Sequence, residues 1–197
     1  MANADQPFGF MPIGTTDGSD YHGKLVQVQF LAADTTAVYI GDFVTASANG
    51  ANTTGTIPAV KLATAGTNNP VMGALVSLTP DFTDEGTLTT KYRVASSVRT
   101  GFVTAGTQVL YVAQEDSDSS NLAAADMNLN VNMANTAGST ITGQSAQEID
   151  SSSKATGATL QLRLHHLYDV PGNAIGTNAN WVVSVNRSDQ VLAGAGI

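Results

Sequence analysis

The sequence predicts an all-β fold, and three observations support this prediction. Residues 25–30 alternate apolar Val26, Val28 and Phe30 with glutamines, which is the two-residue period of a half-buried strand. Similar short runs recur along the chain and are separated by clusters of Gly, Pro, Asn and Asp, the residues that favour turns. No segment longer than ten residues repeats its apolar positions with a helical period. We therefore expect about eight to ten short strands in a jelly-roll-like sandwich or barrel.

The strands are predicted from local patterns. The strongest one spans residues 160–168, where Leu160, Leu162 and Leu164 share a face, and residues 181–186 are its expected antiparallel partner. Residues 45–56 are polar and predict a loop. One short helical turn is expected around residues 122–127. Weaker strand-like runs lie at residues 36–44, with a bend at Gly41-Asp42, and at 57–63, 71–78, 92–95, 102–103 and 108–112.

The length of 197 residues fits one folded unit. We expect an extended N-terminal arm at residues 1–23 and a single β domain at residues 24–197. Residues 115–153 begin with acidic side chains and continue with Asn, Ser, Thr and Gly, so they are expected to form a long polar insertion. Alternating Leu129, Val131 and Met133 predict that this insertion carries one hairpin.

The N-terminal arm contains the candidate contact residues of the chain. Two prolines fix the backbone angle φ and remove hydrogen-bond donors, which favours an extended segment over a helix or a central strand. Its large apolar side chains have too few residues before them to form a local core, so they need a surface. That surface is either an edge of the chain's own sheet or a neighbouring subunit. The candidate contact residues are Pro7, Phe8, Phe10, Pro12 and Ile13.

Composition and charge exclude several function classes. Charged residues make up only 12% of the chain, against roughly 25% in ordinary soluble domains, so much of the surface is suited to packing against other protein. The net charge of −8 and the scattered basic residues argue against nucleic-acid binding. The chain lacks cysteine, a signal-peptide pattern and a membrane-spanning apolar run. We expect a soluble protein made in a cytoplasm, with no membrane partner.

The candidate chemical groups do not predict an active site. The histidines are His22, His165 and His166, and the last two lie on opposite faces of a strand, so we expect one half-buried and one exposed ring. Residues 115–118 resemble a calcium loop in their density of carboxylates but lack its glycine and terminal glutamate. A solvated acidic loop is therefore predicted, with no metal, no cofactor and no catalytic activity.

Several segments resemble one family of virion proteins. These segments are residues 1–12, residues 14–23, the Tyr-Ile-Gly-Asp-Phe-Val run at residues 39–44, residues 169–179 and residues 181–186. They are similar to the capsid decoration, or cement, proteins of tailed bacteriophages, mostly short-tailed ones. The resemblance extends to the middle of the chain at residues 71–112 and leaves residues 115–153 unmatched.

The resemblance implies a jelly-roll or related β fold and a homotrimer on the outer surface of the phage head, bound to the major capsid protein lattice. Two alternatives stay open. One is a carbohydrate-binding or receptor-binding β domain that uses Trp181, Tyr39 and the asparagine-rich face of residues 128–132. The other is a head–tail or tail subunit, which is expected in sixfold or twelvefold rings instead of trimers.

Overall fold

A computed structural model describes residues 3–80, 91–104, 106–118 and 120–189, and it has an all-β architecture, as predicted. Strands and one 3₁₀ turn account for the regular structure of these residues. In chain order they are β1 (Met11–Thr15), β2 (Leu25–Phe30), β3 (Phe43–Ala51), β4 (Pro58–Leu62), β5 (Gly73–Leu78), β6 (Arg99–Thr104), β7 (Val109–Gln114), the 3₁₀ turn (Ala124–Asp126), β8 (Asn130–Ala134), β9 (Glu148–Ala155), β10 (Leu162–Leu167) and β11 (Asn180–Val185).

Five strands close into a barrel in the order β2-β4-β3-β5-β6. Strand β2 pairs antiparallel with β6 and parallel with β4, and the other barrel pairs are antiparallel. The predicted alternation in β2 is confirmed, because Val28 and Phe30 are buried inside the barrel while Gln27 is exposed. Closure leaves this sheet without a free edge.

The prediction of a loop at residues 45–56 is wrong for its first half, which belongs to β3. Ala46 pairs with Val60 and Ala51 with Pro58, and the register shifts between these pairs. Polar Thr45 and Ser47 are buried on this strand. Pairing with β4 and β5 outweighs the low strand propensity of these small residues, as tertiary context often does.

The other six strands form an open sheet in the order β1-β7-β11-β10-β8-β9. The predicted antiparallel pairing of residues 160–168 with residues 181–186 is confirmed as β10 against β11, with Leu162 opposite Val185 and Leu164 opposite Val183. Trp181 on β11 is fully buried. The short helical turn is confirmed as the 3₁₀ turn.

Residues 115–153 carry the predicted hairpin, formed by antiparallel β8 and β9. This hairpin is built into the open sheet, because β8 also pairs with β10. Val131, Met133 and Ile149 are buried in the main core. The stretch is polar in composition, yet these three apolar side chains extend the sheet's core face.

One core joins the barrel to the open sheet. Phe43, Val71 and Ala74 from the barrel region pack in the same cluster as Tyr111 and Trp181 of the open sheet. A second cluster fills the barrel itself, with Val28, Phe30, Val44, Val60, Leu75 and Val103. The two sheets therefore bury apolar surface against each other, and the chain folds as a unit.

A buried glutamine fastens this junction. Gln161 has no solvent-accessible surface, and its side-chain oxygen accepts hydrogen bonds from the amides of Gly66 (2.9 Å) and Met133 (3.3 Å). Its side-chain nitrogen donates to the carbonyls of Thr64 (2.9 Å) and Asn69 (3.1 Å). One amide group thus satisfies four backbone groups from the β4–β5 connection and from β8.

We expect Gln161→Leu to lower the free energy of unfolding by about 3 kcal/mol or more, because it leaves several buried backbone groups without hydrogen-bond partners. Urea unfolding followed by Trp181 fluorescence measures the change. Gln27→Leu, at an exposed glutamine on β2, is the control and should shift stability by no more than about 0.5 kcal/mol. Equal effects of the two substitutions would contradict the role assigned to Gln161.

Candidate interaction surface

The N-terminal arm lies on its own chain. Strand β1 pairs antiparallel with β7 and forms one edge of the open sheet, with a register shift between Pro12 and Gly14. Before it, the side chain of Asn3 donates to the carbonyls of Ala174 and Thr177, both at 2.8 Å. Of the two surfaces considered from the sequence, the chain's own sheet edge is the one that the arm occupies.

Phe10 is a core residue of its own chain. Its ring stacks on Phe43 with the centroids 3.9 Å apart and 22° between the planes, and Phe43 meets Tyr111 edge-on at 5.1 Å. The amide of Phe10 donates to the carbonyl of Gly41 at 2.9 Å. Burial in this aromatic stack stabilises the ring within its own chain, and a contact between Phe10 and a neighbour stays a prediction.

The other four candidate residues of the arm remain partly accessible. Pro7, Phe8, Pro12 and Ile13 are half-buried. Met11, between them, is 48% exposed and was not among the sequence candidates. A contact between these residues and a neighbour stays a prediction.

Two glycines let the arm cross the segment before β3. Gly9 has φ of +77°, and a Cβ atom there would lie 2.5 Å from Cβ of Ser145 and 2.6 Å from the carbonyl oxygen of Gly41. Gly41 has φ of +96°, and a Cβ atom on it would lie 2.8 Å from the carbonyl oxygen of Phe8. Only glycine fits both the positive φ and the close backbone approach.

The β8–β9 connection is the third segment at this crossing and hydrogen-bonds to the segment before β3. The amide of Ile40 donates to the carbonyl of Gly143 at 2.9 Å, and the amide of Ser145 donates back to the carbonyl of Ile40 at 2.8 Å. Next to it, the carboxylate of Asp42 accepts the amide of Tyr39 at 2.7 Å. Burial raises the pKa of Asp42 to about 6, while hydrogen bonds from Ser145 and from the Tyr39 amide oppose this shift.

These segments enclose a mainly apolar groove of about 400 Å³, which we call the arm groove. The arm, the barrel and the β8–β9 connection each contribute to it. Among the described residues that line it, Lys91 is the one with a charged side chain. The lining residues are Phe8, Phe10, Met11, Pro12, Ile40, Gly41, Leu75, Val76, Lys91, Thr142, Gly143 and Gln144.

Ile141 projects from the loop that borders the arm groove and is 82% exposed. The loop is ordered by its own hydrogen bonds: the amide of Gly143 donates to the carbonyl of Ser139 at 2.8 Å, and the amide of Ser139 donates to the carbonyl of Gln144 at 2.9 Å. Ile141 was not among the contact residues predicted from the sequence. Its signal was present, since it is the one large apolar residue in the polar tract between residues 134 and 148.

The histidines do not form a catalytic pair. The Nε2 atom of His165 lies 2.9 Å from the hydroxyl of Ser184, and burial, His166 and Arg163 lower the pKa of His165. His166 is exposed, as predicted, and His165 is half-buried. A bulge separates Leu164 from His166 in the pairing with β11, so the two rings face different surroundings.

In the structure, Asp150 joins the acidic residues of segment 115–118, a proximity that the sequence did not predict. Carboxylate oxygens of Asp116, Asp118 and Asp150 lie within 4.8 Å of one another. The hydroxyl of Ser151 donates to Asp116 at 2.9 Å. Glu115 lies apart from this group and accepts the amide of Leu122 at 2.7 Å. The sequence grouped Glu115 with the two following aspartates, whereas the structure replaces it with Asp150 from β9.

The aromatic and asparagine residues considered for a glycan platform are not free. Trp181 is fully buried, and Tyr39 is buried and stacked on Tyr92 at 5.0 Å. Asn130 and Asn132 are buried as well. Neither ring presents an open face on which a sugar could stack, so this set of residues does not form the binding surface considered above.

Comparisons with known proteins add no relative. No family model matches the chain, and no curated protein or solved structure is significantly similar to it. In the part of the chain that the structure describes, no helix has both the length and the apolar character needed to span a membrane.

We expect Gly9→Ala to displace the arm, because the added methyl group would collide with Ser145 and with the backbone of Gly41. Hydrogen exchange of residues 10–15 should accelerate at least tenfold. The control is Gly18→Ala, which has a similar φ of +83° but nothing within 4 Å of the added atom. It imposes the same backbone strain without the collision. Equal exchange in both variants would show that the crossing does not hold the arm.

Stability should fall as the pH rises from about 4 to about 7. Burial raises the pKa of Asp42 to about 6 and the pKa values of Glu115 and Glu148 to about 7, with Asp116 and Asp5 adding to the shift at Glu148. These groups bind a proton more tightly in the folded state, so their stabilisation is complete below their unfolded pKa values. This stabilisation is lost as the pH rises through their pKa values in the folded state.

The measurement is the free energy of unfolding between about pH 4 and pH 8. Asp42→Asn should reduce the total fall in the free energy of unfolding over this pH range by up to about 3 kcal/mol, because it removes the contribution of the raised Asp42 pKa. A free energy of unfolding that rises steadily over this range would contradict the assignment.

Proposed function

We propose that this chain is a virion structural protein that decorates the head of a tailed bacteriophage as a cement protein, bound to the outer surface of the major capsid protein lattice. The observation that carries the proposal is the arm groove, an apolar concave surface flanked by exposed Met11 and Ile141. Large apolar side chains at an ordered surface favour binding to another protein. The resemblance of residues 1–12, 39–44 and 181–186 to phage decoration proteins points to the same class.

Ile141 and the arm groove have the features of an interface centre. Both are held by hydrogen bonds within the chain, so docking onto them would order few additional side chains. The surroundings are rich in hydroxyl and amide groups, and charged residues make up only 12% of the chain. Interface cores are depleted in charge, which makes this surface suitable for a broad protein contact.

The acidic balance fits the outside of a head. A net charge of −8 would oppose contact with packaged DNA, whereas the outer surface imposes no such conflict. In a homotrimer, three copies of a modest contact would engage the lattice together, and this raises the overall affinity without any new kind of contact.

Met11→Asp and Ile141→Asp should each weaken binding to expanded capsids of the phage that encodes the chain by at least tenfold, because each places a charge in an apolar contact. Co-sedimentation over a range of capsid concentrations measures the change. The matched control is Met127→Asp, since Met127 is 40% exposed and lies beside β10, three strands away from β1. It should bind like the original protein.

Light scattering on the same purified proteins distinguishes a homotrimer from a ring-forming head–tail or tail subunit. A trimer has three times the 20.2 kDa mass of the chain, whereas a head–tail or tail subunit should form a sixfold or twelvefold ring. Failure of the unmodified protein to sediment with capsids, or equal binding by all three variants, would contradict the proposal.

A further inference from the structure

A second cleft of about 400 Å³ lies where the loop before β3 meets the end of β4 and the segment after β8. Apolar atoms still supply most of its lining, but hydroxyl, carboxyl and amide groups take a larger share than in the arm groove. Thr36, Asp42, Thr136 and Gln147 contribute polar groups, and Leu62 contributes an apolar wall. The volume lies within the range of small-molecule sites.

Of the lining residues that the structure describes, Asp42 is the one with a carboxyl group, and it is almost completely buried. Asp42 is 2% exposed, and its carboxylate accepts a hydrogen bond from the Tyr39 amide and one from the Ser145 side chain. A carboxylate offers about four acceptor positions, so acceptor capacity remains for a ligand. With a pKa of about 6, Asp42 is mainly ionised at neutral pH and acts only as an acceptor.

Three threonine side chains surround the same cleft with uncommitted hydroxyl groups. Thr35, Thr36 and Thr136 are exposed, and within the described part of the chain their hydroxyls make no hydrogen bond to protein. Each hydroxyl can donate one hydrogen bond and accept others. Together with Asp42, they present the mixture of donors and acceptors that complements a ligand bearing several hydroxyl groups.

The frame that carries these groups is fixed. The buried guanidinium of Arg93 donates to the carbonyls of Thr36 and Leu31, both at 2.6 Å. On the opposite side, the side-chain nitrogen of Asn135 donates to the carbonyl of Ala63 at 2.9 Å, and Gln147 donates to Asn135 at 2.7 Å. Both sides of the cleft are therefore set before a ligand arrives, which lowers the entropic cost of binding.

We propose that this cleft binds a neutral, hydroxyl-rich small molecule of monosaccharide size, with Asp42, Thr36 and Thr136 hydrogen-bonded to its hydroxyl groups. Leu62 and Ala37 supply apolar surface for the C–H face of such a ligand. The site requires no open aromatic face, so the burial of Trp181 and Tyr39 does not affect it. It is separate from the arm groove and does not depend on capsid binding.

The test is saturation-transfer NMR of the full chain with D-glucose, D-galactose and N-acetyl-D-glucosamine, followed by titration of any sugar that responds. At least one sugar should show saturation transfer. The double substitution Thr36→Val and Thr136→Val should weaken its binding about tenfold, because two hydrogen bonds are lost. Both positions are exposed, so folding should be unaffected, and a thermal melt checks this.

Thr53→Val is the matched control, since Thr53 is an exposed threonine on the turn between β3 and β4, outside the cleft. It should bind the sugar like the original protein. The absence of saturation transfer for all three sugars would overturn the proposal. Unchanged binding in the double variant would overturn it as well.

Discussion

The structure depends on one close backbone crossing, where the N-terminal arm passes over the segment that leads into β3. If Gly41 carried a Cβ atom, that atom would lie 3.5 Å from Cα of Gly9 and 2.8 Å from the carbonyl oxygen of Phe8. This proximity places Phe10 on Phe43 and brings β1 alongside β7. The same crossing sets one wall of the arm groove. The proposed interaction surface therefore follows from a constraint in the core, and the two are stabilised together.

Buried polar groups hold the two sheets in a defined relation. Gln161 and Gln147 accept backbone amides across the junction between barrel and open sheet, from Gly66 and Phe43 respectively. Within the barrel region, Arg93 donates to carbonyls of the loop between β2 and β3. Such networks stabilise modestly when complete and cost much when broken, so they favour one arrangement of barrel and sheet over others. The bonds of Arg93 and Gln147 also order the threonine-lined cleft, whereas the bonds between Ile40 and the β8–β9 connection order the arm groove. The arrangement has a cost, since Asp42 and Glu115 resist ionisation inside it.

The sequence predicted what depends on local patterns. Strand β2 and the β10–β11 pair follow from alternation and turn residues, and the hairpin of β8 and β9 follows from Leu129, Val131 and Met133. The part of β3 after Val44 escaped prediction because small residues such as Ala46 and Ser47 are placed in a strand by their neighbours and have little preference of their own. Closure of the barrel, likewise, depends on pairings between distant segments that one sequence does not encode locally.

The candidate interaction surface was likewise predictable where it depends on local sequence and not where it depends on distant contacts. An apolar, proline-bounded arm that needs a surface was predictable, but its position on its own sheet was one of two open alternatives. The placement of Phe10 in the core depends on Gly41 and Phe43, which lie more than thirty residues away. Asp150 joins Asp116 and Asp118 only because β9 folds back beside them. Ile141 carried a local signal, but its place beside the groove comes from the hydrogen bonds of Ile40 to the β8–β9 connection.

The most direct test of the proposed role is a cryo-electron-microscopy map of expanded capsids saturated with this protein. We expect density for the chain on the outer surface, with Ile141 and the arm groove against the capsid lattice and β1 still paired with β7. Density that places the groove toward solvent, or capsids that remain undecorated at saturating protein, would contradict it.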